Sequence, residues 1–459
     1  VTAWRVALRP HRHDREIVRL AIPALGALIA EPLYILADTA VVGRLGPDPL
    51  AGLAVASSIL LIIYSVFIFL AYGTTASVAR LIGAGAERQA AHQAVQGMWL
   101  AVLVGFVVAA IGLVFAGPLV GLLGATGEVR VQALTYLRIS LFGVPAMLLV
   151  LAGTGYLRGL QDTRTPLFVA VGSAAFNLAL ESWLIFGLGF SIGASALSTV
   201  IAQWGAAAVY AVWVGRAVRA HQVALVPHPS TLREISVVGR DLFIRTAALR
   251  GTFLIATAVA TRIGTVDVAA HQIAFEIWNF TALTLDAIAI AGQALIGRLL
   301  GASEVDDAHD AGRRMLQWGV ALGFAMGAVI LLTRNALPGV FTNDVLVRDL
   351  TAFLLVFVGI MQPINGVVFV LDGLLIGAGD VRFLAWAMVF AAAVFAPCAW
   401  LVLVYDGGIG WLWASLLLLM IVRMVTLGFR WSSSAWAIPG ADVPRGSAAV
   451  ELAGEPTNL

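Results

Sequence analysis

The chain has 459 residues, 60% of them hydrophobic and 12% charged, with a mean hydropathy of +0.94 and a net charge of +2. A soluble domain carries about 25% charged residues, and a charge at the centre of a membrane helix costs about 2.5–3.5 kcal/mol, so the composition excludes an ordinary soluble fold. All 28 basic residues are arginine, which excludes a P-loop and a Schiff-base lysine. The single cysteine, Cys398, excludes an intrachain disulfide and a multi-cysteine metal site, and the small net charge points to no nucleic-acid partner.

The N-terminal stretch holds Arg5, Arg9, Arg12, Arg15 and Arg19 and runs into an apolar segment without a small-residue cleavage site. That pattern predicts a retained first span after a basic cytoplasmic segment, residues 1–19. Apolar stretches follow near 20–43, 50–78, 93–116, 131–156, 166–187 and 191–215, then near 239–261, 267–296, 315–333, 350–375, 383–404 and 408–429. Each is long enough to cross a bilayer as a helix, so the expected fold is all-α, polytopic and of about twelve spans. Residues 216–238 carry Arg216, Arg219, His221, Pro227, His228, Pro229, Arg233 and Glu234 and divide an N-lobe, 20–215, from a C-lobe, 239–430. The Ser-, Pro- and Gly-rich tail, 431–459, is expected to be a disordered cytoplasmic segment.

Twelve spans leave both termini on one side. With Arg240 counted to the central linker, nineteen arginines fall on that side, five on the other and four inside spans. The positive-inside rule then places both termini in the cytoplasm.

The chain also matches itself at an offset of 218 residues. Arg44 and Gly46 fall on Arg262 and Gly264, ARLIGAG at Arg80 on GRLLGAS at Arg298, Pro145 on Pro363, and RGLQDTR at Asp162 on IGAGDVR at Asp380. A constant offset across loops and helices identifies an internal duplication. Six spans per half put both halves the same way up, with a pseudo-two-fold axis along the membrane normal, the architecture of an alternating-access transporter.

Ionisable residues inside spans are functional candidates because they are expensive there. In the first span, Glu31, Tyr34 and Asp38 are spaced 3 and 4 apart, on one helical stripe, and Pro23 and Pro32 invite bends. A carboxylate at this depth favours its neutral form, which lets it load and release a proton. In the fifth span Asn177 and Glu181 share a face, and Thr199 lies on the sixth. The second half offers Glu276, Asp286 and Asp372 as secondary sites, with His271 near the start of its span. Arg138, Arg245, Arg250 and Arg423 are the basic residues inside spans, and their partners are open. Asp162 and Asp380 read as turn or cap residues. Asp38 maps onto Ala256 and Glu181 near Ala399, so a coupling site built on these acids belongs to the first half.

The segments DTAVVGRLG, LAGLA, ARLIGAG, GRLLGAS, AAHQIAFEIW and LDGLLIGAGD together resemble the MATE family (multidrug and toxic compound extrusion), in its DinF-like branch, over residues 17–430. The resemblance implies two six-helix lobes and export of drugs in exchange for protons or sodium ions. It implies that Pro23 is the hinge of the first helix and that Tyr34, Asp38, Asn177, Glu181 and Thr199 form the coupling site. Glu181 stands where many members have aspartate, and Glu31 belongs to the EPL pattern of the DinF-like branch. Asn365 stands where some sodium-linked members carry an aspartate, with Asp372 two turns later, which favours protons.

The expected function is a proton-coupled antiporter, not an enzyme, exporting amphipathic, cationic organic compounds across the plasma membrane. It needs no cofactor beyond the coupling ion, sodium being the alternative, and works as a monomer among membrane lipids. The rival is a flippase for lipids or lipid-linked sugars, for which Arg138, Arg245 and Arg250 would serve phosphate. A membrane enzyme lacks any constellation here, and a channel fits the duplication poorly.

Overall fold

The computed structural model describes residues 11–441. Twelve helices are long and apolar enough to cross a membrane: α1 (Asp14–Leu45), α2 (Pro47–Gly83), α3 (Glu87–Leu122), α4 (Gly127–Gly159), α5 (Arg164–Gly187), α6 (Ile192–His221), α7 (Pro229–Ile263), α8 (Thr265–Gly301), α9 (Val305–Thr333), α10 (Val345–Gly377), α11 (Val381–Val404) and α12 (Gly408–Ser432). No strand occurs among the described residues. Only helices satisfy their own backbone polar groups in lipid without closing a barrel, so the apolar composition dictates this class.

The duplication expected from the sequence is visible in how the helices touch. In the first half a Cβ on Gly155 of α4 would stand 2.5 Å from the Ala71 carbonyl of α2, and one on Gly105 of α3 would stand 2.5 Å from Pro145 Cα of α4. One repeat later a Cβ on Gly373 of α10 would collide with the Ala289 carbonyl of α8, and one on Gly323 of α9 would stand 2.8 Å from Pro363 Cα of α10. Only glycine admits such backbone approach, which replaces the hydrophobic drive that is missing between helices in lipid. Around the first pair of contacts the buried core includes Leu70, Leu137, Leu141 and Leu148.

The chain folds as two compact units, Ile22–Gly239, and Arg240–Leu459 together with Val1–Ala21. This departs from the expected lobes, 20–215 and 239–430, at two helix heads. The head of α1 goes with the second unit, because Ile17 and Leu20 are buried there and Asp14 and Glu16 pair with Arg314 and Arg298. The head of α7 goes with the first. The expected linker, 216–238, is mostly helix, since α6 runs to His221 and α7 begins at Pro229.

The tail also departs from expectation, being folded as far as Ala441. Trp436, 1% exposed, stacks on Trp431 with ring centroids 4.4 Å apart, and the Gly440 N–H donates to the Leu300 carbonyl at 2.9 Å. An aromatic pair of this area orders a segment whose remaining composition is that of a loop. The rest of the expected tail, like residues 1–10, lies outside the described residues.

Candidate ion-coupling site

In the first unit α1, α5 and α6 bring five of the expected residues into one polar network. α1 is continuous helix through Pro23 and Pro32 as far as Val42, so Tyr34 and Asp38, one turn apart, reach the same neighbours. The Ser195 hydroxyl donates to Asp38 Oδ1 at 3.0 Å. Thr199 Oγ1 donates back to the Ser195 carbonyl at 2.9 Å, so its lone pairs face outward to accept. Tyr34 Oη lies 3.1 Å from Thr199 Oγ1, and Asn177 Nδ2 donates to both Tyr34 Oη and Thr199 Oγ1 at 3.0 Å. Since the Thr199 proton is already committed to the Ser195 carbonyl, the Tyr34 hydroxyl is the donor in their shared bond. Ser198 Oγ shares its one proton between the Ser195 carbonyl at 2.8 Å and Asn177 Oδ1 at 3.2 Å.

Two acids face this network. Asp38 is 5% exposed and Glu181 is completely buried. Neither Glu181 carboxylate oxygen makes a hydrogen bond of normal geometry, and Asp38 and Ser195 are its polar neighbours. Ser195 and Glu181 both act on Asp38, and neither acid forms an ion pair with an arginine among the described residues. A buried carboxylate pair without a counter-ion is under-satisfied in both lone pairs and charge. Adding one proton or one cation relieves it.

Glu31 does not join the pair. It faces Tyr64 of α2, which also feels Arg158, so the stripe 31–34–38 splits between two polar groups. Sequence reasoning missed Ser195, Ser198 and Tyr136 of α4, the last of which lies within electrostatic reach of Asp38 and Glu181. The signal for two of them was present, because Ser195, Ser198 and Thr199 are spaced 3 and 4 apart on the face that carries Thr199.

The second unit treats its acids differently. Asp372 Oδ2 accepts from Arg245 Nη2 at 2.6 Å and from Arg423 Nη2. Asp286 of α8 acts electrostatically on Arg423. Two guanidiniums on one buried carboxylate, with a second acid beside them, neutralise the cluster and staple α7, α10 and α12. Glu276 is exposed and accepts from Gln272 at 3.0 Å. The three secondary residues thus have separate surroundings. Asp162 accepts from the backbone N–H of Arg164 and Thr165 at 3.0 Å, as a turn residue does, whereas Asp380 forms an ion pair with Arg430. Arg138 and Arg250 are exposed. No group of three or more metal-ligating side chains occurs among the described residues.

The family model MatE matches residues 23–183 and again residues 242–401, once in each half. The chain is 32% identical to Protein DETOXIFICATION 44, chloroplastic, of Arabidopsis thaliana, with 90% of this chain and 81% of that protein covered. It is 27% identical to DNA damage-inducible protein F of Escherichia coli (strain K12), with 91% and 92% covered. Among solved structures it resembles a MATE protein in the bent conformation, with a TM-score of 0.83 at 21% identity over 99% of this chain and 100% of that one. A Vibrio cholerae MATE transporter gives a TM-score of 0.84 at 20% identity over 94% and 97%. With both halves matched by the family model and the whole bundle shared, this chain belongs to the MATE family of multi-pass membrane transporters that export drugs and toxic compounds.

Proposed function

We propose that the chain is a proton-coupled antiporter that exports amphipathic organic cations across the plasma membrane, as a monomer with both termini in the cytoplasm. The observation that carries this reading is the buried Asp38–Glu181 pair, which has the Ser195 hydroxyl beside it and no ion pair with an arginine among the described residues. Asp38 is the main proton carrier. Glu181 raises the cost of leaving Asp38 charged. Ser195 gives Asp38 its hydrogen bond, and Asn177, Tyr34 and Thr199 hold the Ser195 backbone and the α1 stripe in register. Protonation removes the charge from the site and lets α1 bend at Pro23, whose missing N–H leaves a carbonyl one turn earlier unbonded. Glu31 stands outside this pair and tunes α1 through Tyr64.

The experiment is efflux of ethidium from proteoliposomes under an imposed pH gradient, with a sodium gradient in parallel. Proton-driven efflux that Asp38→Asn abolishes supports the reading. Undiminished, fully pH-driven efflux by Asp38→Asn removes Asp38 from the mechanism, and efflux driven by sodium alone replaces the ion.

A second reading rests on Arg138 and Arg250, which are exposed inside spans. Arg138 lies about 16 Å along α4 from its start, at ~1.5 Å per residue, a depth at which an arginine is expensive without water or an anion beside it. An anionic headgroup carried by a flippase would satisfy both arginines. Failure of ethidium efflux under either gradient, with movement of a fluorescent anionic lipid between leaflets, selects this reading.

A further inference from the structure

The two unit boundaries fall at Ala21/Ile22 and at Gly239/Arg240. Ile22 and Arg240 are 218 residues apart, the offset of the duplication. The first helix of each half therefore begins in one unit and continues in the other, and does so at the same register in both halves.

What holds each head is also repeated. In the second unit, α8 and α9 grip the head of α1. Asp14 accepts from Arg314 Nε at 2.6 Å and Nη2 at 2.8 Å, and from Trp318 Nε1 at 3.0 Å. Arg298 Nη2 donates to Glu16 at 2.7 Å, and Arg12 Nη2 donates to Asp307 at 2.7 Å and Asp310 at 2.8 Å. In the first unit, α3 grips the leader of α7. Gln96 Nε2 donates to the Val226 carbonyl at 3.0 Å, and its Oε1 accepts from the His228 N–H at 2.8 Å. Trp99 Nε1 donates to the Leu225 carbonyl at 2.7 Å, and the His92 and His228 rings lie 4.9 Å apart. Gln96 and Arg314 are themselves 218 residues apart. One helix position makes the grip in both halves, with a buried guanidinium on the head of α1 in one and an amide on the leader before α7 in the other.

The two clasps differ in strength. A bidentate guanidinium–carboxylate pair is about twice as strong as neutral hydrogen bonds, and Arg314 is 3% exposed. The charged clasp holds the helix that carries Tyr34 and Asp38. Between the clasp and those residues lies Pro23, the second residue past the boundary, where the backbone ladder lacks a rung. A helix fixed at its head and weakened at the crossing will bend there when one unit moves against the other.

We infer that Arg314 and Asp14 are positioning residues for transport: they anchor the head of α1 in the second unit, so that movement of that unit reaches Asp38 through a bend at Pro23. Gln96 anchors α7 in the same way in the first unit. The inference rests on transport by this chain and not on which ion couples it.

Two measurements test it. In a Cys398→Ala background, spin labels at Arg15→Cys and Arg313→Cys report the clasp distance directly. The distance stays narrow and unchanged between acid and alkaline pH in the parent protein and broadens in Asp14→Asn. A parent distance that changes with pH overturns the anchor. In proteoliposomes, Asp14→Asn and Arg314→Gln lower ethidium turnover about tenfold while equilibrium ethidium binding stays within about twofold. The charge swap Asp14→Arg/Arg314→Asp restores at least about half of the turnover. Loss of binding together with turnover, unrepaired by the swap, overturns the positioning role. If the parent protein moves no ethidium, the cargo reading fails while the distance measurement still decides the clasp.

Discussion

Asp38 accepts one hydrogen bond, from Ser195, and Glu181 accepts none of normal geometry, whereas Asp372 shares one oxygen between two arginines. The same side-chain chemistry therefore has two fates in one chain. Removing the Asp372 charge takes from Arg245 and Arg423 the buried carboxylate they share, and breaking a buried pair costs about 3–5 kcal/mol. Asp372→Asn is expected to lower the thermal unfolding midpoint clearly, while Arg138→Gln, which removes no ion pair among the described residues, does not lower it. Equal midpoints for the two variants would show that the Arg245–Asp372–Arg423 cluster is no staple. Glu181→Gln is the converse case. It leaves the fold intact and reduces uphill ethidium transport at least about tenfold, an effect of about 1.4 kcal/mol or more. Unaltered accumulation would take Glu181 out of the coupling site. The acids of this site were legible because i and i+4 spacing puts Tyr34 with Asp38 and Asn177 with Glu181 on shared faces. Ser195 and Ser198 carry the same spacing signal but are easily passed over, because Ser and Thr hydroxyls in membrane helices ordinarily bond to their own backbone, as Thr75 does to the Ala71 carbonyl at 2.8 Å, and Tyr136, on another helix, shares no local pattern with them. The pairing of Arg245 with Asp372 spans 127 residues, and no local pattern encodes it.

At the scale of the helix, close approach is set by what is absent from a side chain. Gly155 and Gly373 occupy the same place in the two halves, each against a backbone carbonyl that cannot yield. Gly155→Val and Gly373→Val are each expected to destabilise the protein by about 1–3 kcal/mol through forced separation of α2 from α4 or of α8 from α10. Gly205→Val, with nothing within 4 Å of its added carbon, is the control and is expected to match the parent. Detergent-solubilised thermal unfolding of the three variants measures this, and a Gly155 variant as stable as the control would refute the contact. The repeat behind this symmetry was legible from ten identical positions at one offset. The polar register of α1 was legible only in part, because Glu31 shares the stripe of Tyr34 and Asp38 but turns to Tyr64. A stripe has angular width, and the neighbouring helices decide which neighbour each side chain meets.

At the scale of the molecule, each half of the chain completes the other half's unit. The N-terminal half supplies Asp14, Glu16, Ile17 and Leu20 to the second unit, and the C-terminal half supplies Leu225, Val226 and His228 to the first. The sequence placed the midpoint in residues 216–238 but could not show this exchange, because the arginines and prolines there mark a polar segment without saying what packs on it. Cutting the chain tests the exchange. A protease site placed between Val223 and Leu225 leaves the α7 leader, which Gln96 and Trp99 hold, on the C-terminal fragment, and leaves the acidic head of α1, which Arg314 and Arg298 hold, on the N-terminal one. Neither fragment then contains all the parts of either unit. The expected outcome is that the fragments co-purify on a tag carried by one of them after cleavage in detergent, and that salt alone does not part them, because Ile17, Leu20 and the backbone bonds to α3 are insensitive to screening. Adding Arg314→Gln and Gln96→Ala together should release a large share of the untagged fragment. Clean separation of the unmutated fragments would mean that the heads contribute no binding energy, and would leave α1 free at the end opposite Asp38.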